Sequence, residues 1–316
     1  MLSRWSDQRV IGQHCCPVLR RFGISSTQQS ATGVAVARSI SDIRSLVGDL
    51  RSRDAHVTIV PTMGALHAGH IALIESSVSR GERVVVSIFV NPTQFAAHED
   101  LSSYPRQEAR DIEMAAEAGA TAIFAPSPDE VYPDGFATSI QVHGPAQGFE
   151  GASRPTHFAG VATVVAKLLL MTRPDTIVLG QKDAQQVAVV RRVMTDLNLD
   201  DISLVVHPIV REDDGVAMSS RNRYLSSQER LNARALSRTL GHAKDLVARG
   251  ERDATRIADS ALAMLNASDG VVPDYAALVD ASTFAPVTHI DRNTLLCVAA
   301  QVGPARLIDN SFLLID

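Results

Sequence analysis

A chain of 316 residues, 45% of them hydrophobic, can bury a sizeable core and has room for two domains. Its formal net charge of −5 offers no basic excess to meet a nucleic-acid backbone, and no apolar run reaches the roughly 20 residues that a membrane span needs. Cys15, Cys16 and Cys297 are an odd, unevenly spaced set that makes no disulfide framework, so a reducing compartment is the simpler reading.

Residues 1–37 stand apart. Arg4, Arg9, Arg20 and Arg21 face a single acid, Asp7, and a polar run follows at 25–30. This composition fits an arginine-rich leader for mitochondrial import, or an extension with no fixed structure. The location is read as cytoplasmic, with mitochondrial import as the alternative.

A helix over 40–47, capped by Ser41, opens the folded part. The β-branched run at 54–60 predicts a strand that ends at Pro61, turns at Gly64 and enters an amphipathic helix closed by Gly81. An almost continuous apolar run at 83–90 reads as a strand buried on both faces, stopped by Asn91-Pro92. Helices at 106–118, 158–171 and 184–197 then alternate with strands at 122–125, 176–179 and 202–206. Such alternation predicts a Rossmann-like, doubly wound parallel sheet over 38–208. Past residue 208 the pattern changes to a polar loop at 211–222, helices at 227–249 and 253–265, and strands at 275–279, 295–300 and 305–308. This part, 209–316, reads as a smaller α+β domain.

Four clusters sit where predicted strands end. The first is His67-Ala68-Gly69-His70 at a helix start, where unpaired N–H groups and the helix dipole favour a phosphate and Gly69 leaves no Cβ in the way. The two histidines also fit a metal pair or a loop cap, although no Glu, Asp or Cys follows at zinc-motif spacing. The second is Gly180-Gln181-Lys182-Asp183, with Gln186 a turn further on. Lys182 offers a point charge for phosphate, while Asp183 reads equally as an N-cap and Gln186 as a solvated helix residue. The third, residues 211–222, is a charged loop with Gly215, two hydroxyls and Arg221; it can close over a polyphosphate or simply link two domains. The fourth places Asn91 and Gln94 beside Phe89 and Phe95, amides suited to orienting a polar substrate, or an ordinary turn.

Together these clusters are more specific than any one alone. The order Pro-Thr-Met-Gly-Ala-Leu-His-x-Gly-His (61–70), Phe-Val-Asn-Pro-x-Gln-Phe (89–95), Tyr-Pro-Arg (104–106), Arg-Pro-Thr-His-Phe (154–158), Gly-x-Lys-Asp (180–183) and Met-Ser-Ser-Arg-Asn (218–222) resembles the pantothenate synthetase (pantoate–β-alanine ligase) family from about residue 38 to the C-terminus. Gln181 stands where many members carry Glu, and Thr93 lies at a variable place.

The resemblance implies a two-step ligation: ATP and pantoate form a pantoyl adenylate with release of pyrophosphate, and the amine of β-alanine then displaces AMP. It implies a homodimer that needs Mg²⁺, and a likeness to the nucleotide site of class I aminoacyl-tRNA synthetases. By the same resemblance His70, His67, Lys182 and Arg221 are the catalytic group, with His70 as proton donor. ATP contacts extend to Met63, Gly64, Gly69, Gly180, Gln181, Asp183, Ser219 and Ser220, with the backbone of Val210 and Met218 beside the adenine. Gln94, Gln186 and Asn91 fall on the substrate side. No protein ligand to Mg²⁺ is assigned, because that ion is commonly held by phosphates; Asp111 is at most a supporting carboxylate. Two rivals use the same clusters: a nucleotidyltransferase acting on a phosphorylated small molecule, and a nucleotide-binding regulator without turnover.

Overall fold

The computed structural model describes Gln28–Gln29, residues 33–95, residue 101 and residues 104–314. Residues 1–27, which carry the arginine-rich leader, lie outside them. Strand β1 is Gln28–Gln29, followed by β2 (Ala35–Ala37), β3 (Val57–Thr62), β4 (Arg83–Ile88), β5 (Ala122–Phe124), β6 (Thr176–Gly180) and β7 (Ser203–His207). They form one sheet in the order β1-β2-β5-β4-β3-β6-β7, parallel throughout except for the β1–β2 pair. Strand β2 was not foreseen and falls inside the stretch read as extension. Three small residues, Ala-Val-Ala, are too short a run to announce a strand, yet all three are buried against β5.

Helices cover both faces, as the alternation predicts. On one side Val57 and Ile59 of β3 meet α1 (Ile40–Arg51), α6 (His157–Thr172) and α7 (Ala184–Asp196) through Ile43, Leu169 and Val189. On the other, Val60 meets α2 (Ala68–Ser79) and α3 (Glu108–Glu117) through Ile74 and Ile112. The period of two along each strand feeds both cores, so the apolar runs are nearly continuous. The cap of α1 is Ser39, not Ser41: Ser39 is extended and its Oγ accepts from the Asp42 N–H, while Ser41 already lies in the first turn. Two short helices, α4 (Pro128–Val131) and α5 (Phe149–Ser153), were not foreseen; four or five residues carry too little periodicity.

Beyond β7 come α8 (Ser227–Ala248) and α9 (Ala254–Asn266), then β8 (Val271–Asp280), β9 (Thr294–Val302) and β10 (Ala305–Phe312), an antiparallel sheet in the order β10-β9-β8. Leu236, Leu240, Ile257 and Leu265 pack on Leu296, Val298 and Ala300 to make a separate core. These strands run longer than expected. Pro273 sits in edge strand β8 at a register shift, where its missing N–H is tolerated. Among the described residues no helix is long and apolar enough to cross a membrane.

Candidate active site

Strands β3 and β6 are neighbours, but the chain leaves β3 towards β4 and β5 on one side and β6 and β7 on the other. This is the switch point of a doubly wound sheet, where the strand ends diverge and a ligand can enter. The β3–β6 pairing covers only Thr58–Ile59 with Thr176–Ile177. Pro61 has no N–H to extend it, so the two strand ends open into a cleft of about 250 Å³.

The loop leaving β3 is held tightly. Gly64 (φ +78°) and Ala65 (φ +51°) both take left-handed backbone, which costs Ala65 some strain. Three bonds fix them: the Asp111 carboxylate accepts from the N–H groups of Ala65 (2.9 Å) and Leu66 (2.8 Å), and Thr62 Oγ accepts from Gly64 (3.1 Å). Asp111 is therefore the buried anchor of this loop. Each of its oxygens accepts from one backbone N–H, and Asp111 stands behind the loop rather than in the cleft lining. A Cβ on Gly64 would also come within 2.9 Å of Asp111 Oδ2.

His67 is the N-cap of α2. Its Nδ1 accepts from the Gly69 N–H (3.1 Å), and Nδ1 of His70 accepts from the His67 N–H (3.3 Å). Part of the helix N-terminus expected to face phosphate is thus satisfied by the histidines themselves. Since each Nδ1 accepts, the network assigns the proton to Nε2 on both rings, and both rings line the cleft. Burial first, and then Lys182, push His67 down to about 4; burial and the neighbouring His67 push His70 down to about 3. Both are neutral hydrogen-bond donors near pH 7 in the ligand-free protein. The rings lie 4.0 Å apart, and a Cβ on Gly69 would sit 2.8 Å from His67 Cε1.

The amide cluster is a 3-10 turn, Pro92–Gln94, capped by Asn91, and it also carries an ordered hydrogen-bond chain. Asn91, 1% exposed, accepts at Oδ1 from Thr93 and from Tyr132 Oη (2.8 Å). Its Nδ2 must then face outward, donating to Gln94 Oε1 (3.0 Å) and to the Gly160 carbonyl (3.2 Å). Gln94 is left with its Nε2 toward Met63 Sδ and the cleft. The network thereby sets the polarity of Gln94 as a donor. Asn91 acts through Gln94. Gly160 of α6 makes this approach possible, since a Cβ there would lie 2.5 Å from the Thr93 carbonyl.

Lys182 enters from the end of β6, with Nζ 3.6 Å from Asp183 Oδ1. Asp183 occupies the N-cap of α7 but bonds none of its N–H groups. Its carboxylate lines the cleft and is about half exposed; burial works against its charge, but Lys182, Arg221 and His157 outweigh that and hold it below the ordinary carboxylate range. Gln186 also lines the cleft.

The loop at 211–222 is a pinned hairpin, not a linker. Arg211 bridges to Ala217, Gly215 (φ +89°) makes the turn, and Arg230 of α8 binds Glu212 and Asp214. The Met218 N–H donates to the Val210 carbonyl (2.9 Å), which holds these two backbones side by side at the cleft wall. Ser219 Oγ accepts from the Arg221 N–H, and Ser219, Ser220 and Arg221 line the cleft mouth.

The cleft thus brings together Met63, His67, Gly69, His70, Asn91, Gln94, Gly180, Lys182, Asp183, Gln186, Val210, Met218, Ser219, Ser220 and Arg221. Gly64 shapes the loop from behind, and Gln181 turns away to bond Asn310. Arg154 and His157 went unassigned in the sequence. Both line the cleft, with Arg154 donating to His157 Nε2 (3.2 Å) and His157 Nδ1 to the Gln94 carbonyl (3.1 Å). Their only signal was an Arg-Pro-Thr-His run before an apolar helix. Among the described residues no group of three or more His, Cys, Asp or Glu side chains makes a metal cage.

A doubly wound sheet with His-x-Gly-His after one strand and Lys-Asp after its neighbour at the switch point defines a nucleotide-binding α/β protein of the nucleotidyltransferase type. Residues 35–312 match the family model described as pantoate-beta-alanine ligase. A pantothenate synthetase of Rhizorhabdus wittichii is 52% identical over 87% of this chain and 97% of its own. The crystal structure of pantothenate synthetase from Thermus thermophilus superposes with a TM-score of 0.82 at 40% identity, covering 89% of this chain and 99% of its own. A Francisella tularensis pantoate-beta-alanine ligase, solved with beta-gamma ATP and beta-alanine, does so at 0.70 and 32%, covering 88% and 97%. The chain belongs to the pantoate–β-alanine ligase family.

Proposed function

We propose that this chain is the ATP-dependent ligase that joins pantoate to β-alanine through an enzyme-bound pantoyl adenylate, releasing pyrophosphate and AMP. The observation that carries this reading is the convergence, in one cleft, of phosphate-type donors from two neighbouring strand ends with a fixed amide donor, Gln94, on the opposite wall. Adenylation brings a carboxylate to an α-phosphate that already bears negative charge, so the work is positioning and charge neutralisation.

In this reading Lys182, Arg221, Ser219 and Ser220 hold the phosphates, and Nε2–H of His67 and His70 donate to phosphate oxygens. A neutral His70 supplies a hydrogen bond rather than a free proton; the negative triphosphate raises its proton affinity when bound, which is what a proton-donor role demands. The backbone of Val210 and Met218 lies beside the adenine, and Asp183 on the ribose side. Gln94 donates to pantoate from one wall and Gln186 faces it from the other. Mg²⁺ would neutralise phosphate charge. Among the described residues that line the cleft Asp183 is the only carboxylate, which suits an ion held mainly by the nucleotide. Residues 38–208 would bind both substrates, residues 209–316 would close over them, and the chain would act as a homodimer.

The test is exchange of labelled pyrophosphate into ATP with pantoate present and β-alanine absent. Pantoate-dependent exchange is expected. Nucleotidyl transfer to a phosphorylated acceptor, with no exchange and no amide formed on adding β-alanine, would overturn the reading.

A further inference from the structure

The Gln181-Lys182-Asp183 loop has no cap of its own: neither Gly180 nor Asp183, the caps of its 3-10 turn and of α7, makes a side-chain cap bond. What holds it comes from the far end of the chain. Asn310 of β10, 3% exposed, donates from Nδ2 to the carbonyls of Gln181 and Lys182 (both 3.0 Å) and accepts at Oδ1 from Gln181 Nε2 (3.1 Å). Its neighbour Asp309, also 3% exposed, receives both arms of Arg211, at 2.6 and 3.0 Å. Arg211 in turn donates to the Gly215 carbonyl, bracing the hairpin that leads into Met218–Arg221. Successive residues of a strand point to opposite faces, so this one dipeptide reaches two loops at once. Asp309 Oδ1 also accepts from the Asn310 N–H (2.8 Å), which ties the two halves together.

A buried Asp-Asn pair near the end of a strand is costly unless fully bonded, and apolar residues would finish the strand without that cost. We propose that Asp309 and Asn310 are positioning residues of the nucleotide site, which fix the lysine loop and the Ser-Ser-Arg loop at one mutual spacing. The inference rests on the ligase reading above. Neither residue touches substrate; each acts through backbone that does.

Full-length protein carrying Asn310→Leu, of similar size but unable to bond, tests this. Per folded molecule we expect the KM for ATP to rise roughly tenfold or more, as for buried polar partners left unpaired, while the KM for pantoate stays within about twofold. A merely structural role would lower the thermal midpoint and leave both KM values unchanged, and that result overturns the proposal. Should Asn310→Leu fail to fold, Gln181→Leu decides: it removes one bond of the clamp from a side chain outside the cleft, with an expected rise of about two- to fivefold for ATP alone. No change in that variant also overturns the proposal. Binding of a non-hydrolysable ATP analogue reads the clamp without turnover, so a wild-type protein that exchanges no pyrophosphate would sink the ligase reading while these affinities still judge the clamp.

Discussion

The histidine loop after β3 and the lysine loop after β6 open into the same cleft but are held in different ways. The histidine loop is largely self-made: two left-handed residues, a cap provided by His67 and a back-bond to His70, with Asp111 as a distant anchor. Among the described residues the lysine loop has no local cap bond, and beyond the Lys182–Asp183 ion pair it is held by Asn310, 129 positions from Gln181. A loop closed by neighbours forms with its helix, whereas one closed by a remote strand forms only with the whole fold. The two halves of one phosphate site therefore differ in what can damage them.

The largest expected effect lies on the self-made side. His70→Ala should lower pantoate-dependent pyrophosphate exchange by about 10²–10⁴, the range for a positioned donor at developing phosphate charge; near-normal exchange would remove His70 from the chemistry. Asp111→Ala should follow, orphaning two buried N–H groups at about 1–3 kcal/mol each. Its urea midpoint should drop, and because the histidine loop loosens while the lysine loop is untouched, exchange should fall in the fraction that still folds.

The opposite wall sharpens the contrast. Asn91→Asp cannot donate to Gln94 Oε1, so the Gln94 amide should invert and present oxygen to the cleft. The KM for pantoate should rise roughly tenfold with that for ATP unchanged, as for one buried hydrogen bond turned repulsive; an ATP effect instead would put Gln94 on the nucleotide side. Gly160→Ala, which forces the Thr93–Gln94 backbone away, should cost about 1–3 kcal/mol of stability by overpacking and weaken pantoate in the same sense.

The smallest effect is the pH response of the histidine pair. Their folded values, about 4 and about 3, lie below the unfolded value of ~6.5, so below that pH the unfolded chain binds more protons. These two groups leave stability unchanged above about pH 7 and reduce it progressively as pH falls from about 6.5 to about 3. NMR titration of the two imidazoles checks this, and midpoints near 6.5 in the free protein would show that the rings are solvated and singly mobile.

Much of this was legible in sequence, for a local reason. The strand–loop–helix unit around His67 and His70 is written in contiguous residues, each with its own backbone preference, and the alternation of β-branched runs with amphipathic helices fixes a doubly wound sheet. The switch point itself was not legible, because strand order depends on which edge each helix crosses. Asp309 and Asn310 were missed because both residues favour turns, so the last strand was read as ending at Ile308 when it continues to Phe312. Nothing in the sequence ties Asp111 to the Ala65 N–H or Tyr132 to the Asn91 amide; only the fold brings them to the groups that they satisfy.

The sequence by itself determined which residues can serve the chemistry and the local shape of the histidine loop, since both follow from neighbouring residues and backbone sterics. Only the tertiary structure decided which way the Asn91 and Gln94 amides point, that the hairpin at 211–222 is pinned, and that β10 holds the lysine loop. Those outcomes turn on buried polar groups finding partners across long stretches of chain, and a hydrogen bond between distant residues leaves no periodic trace in the sequence.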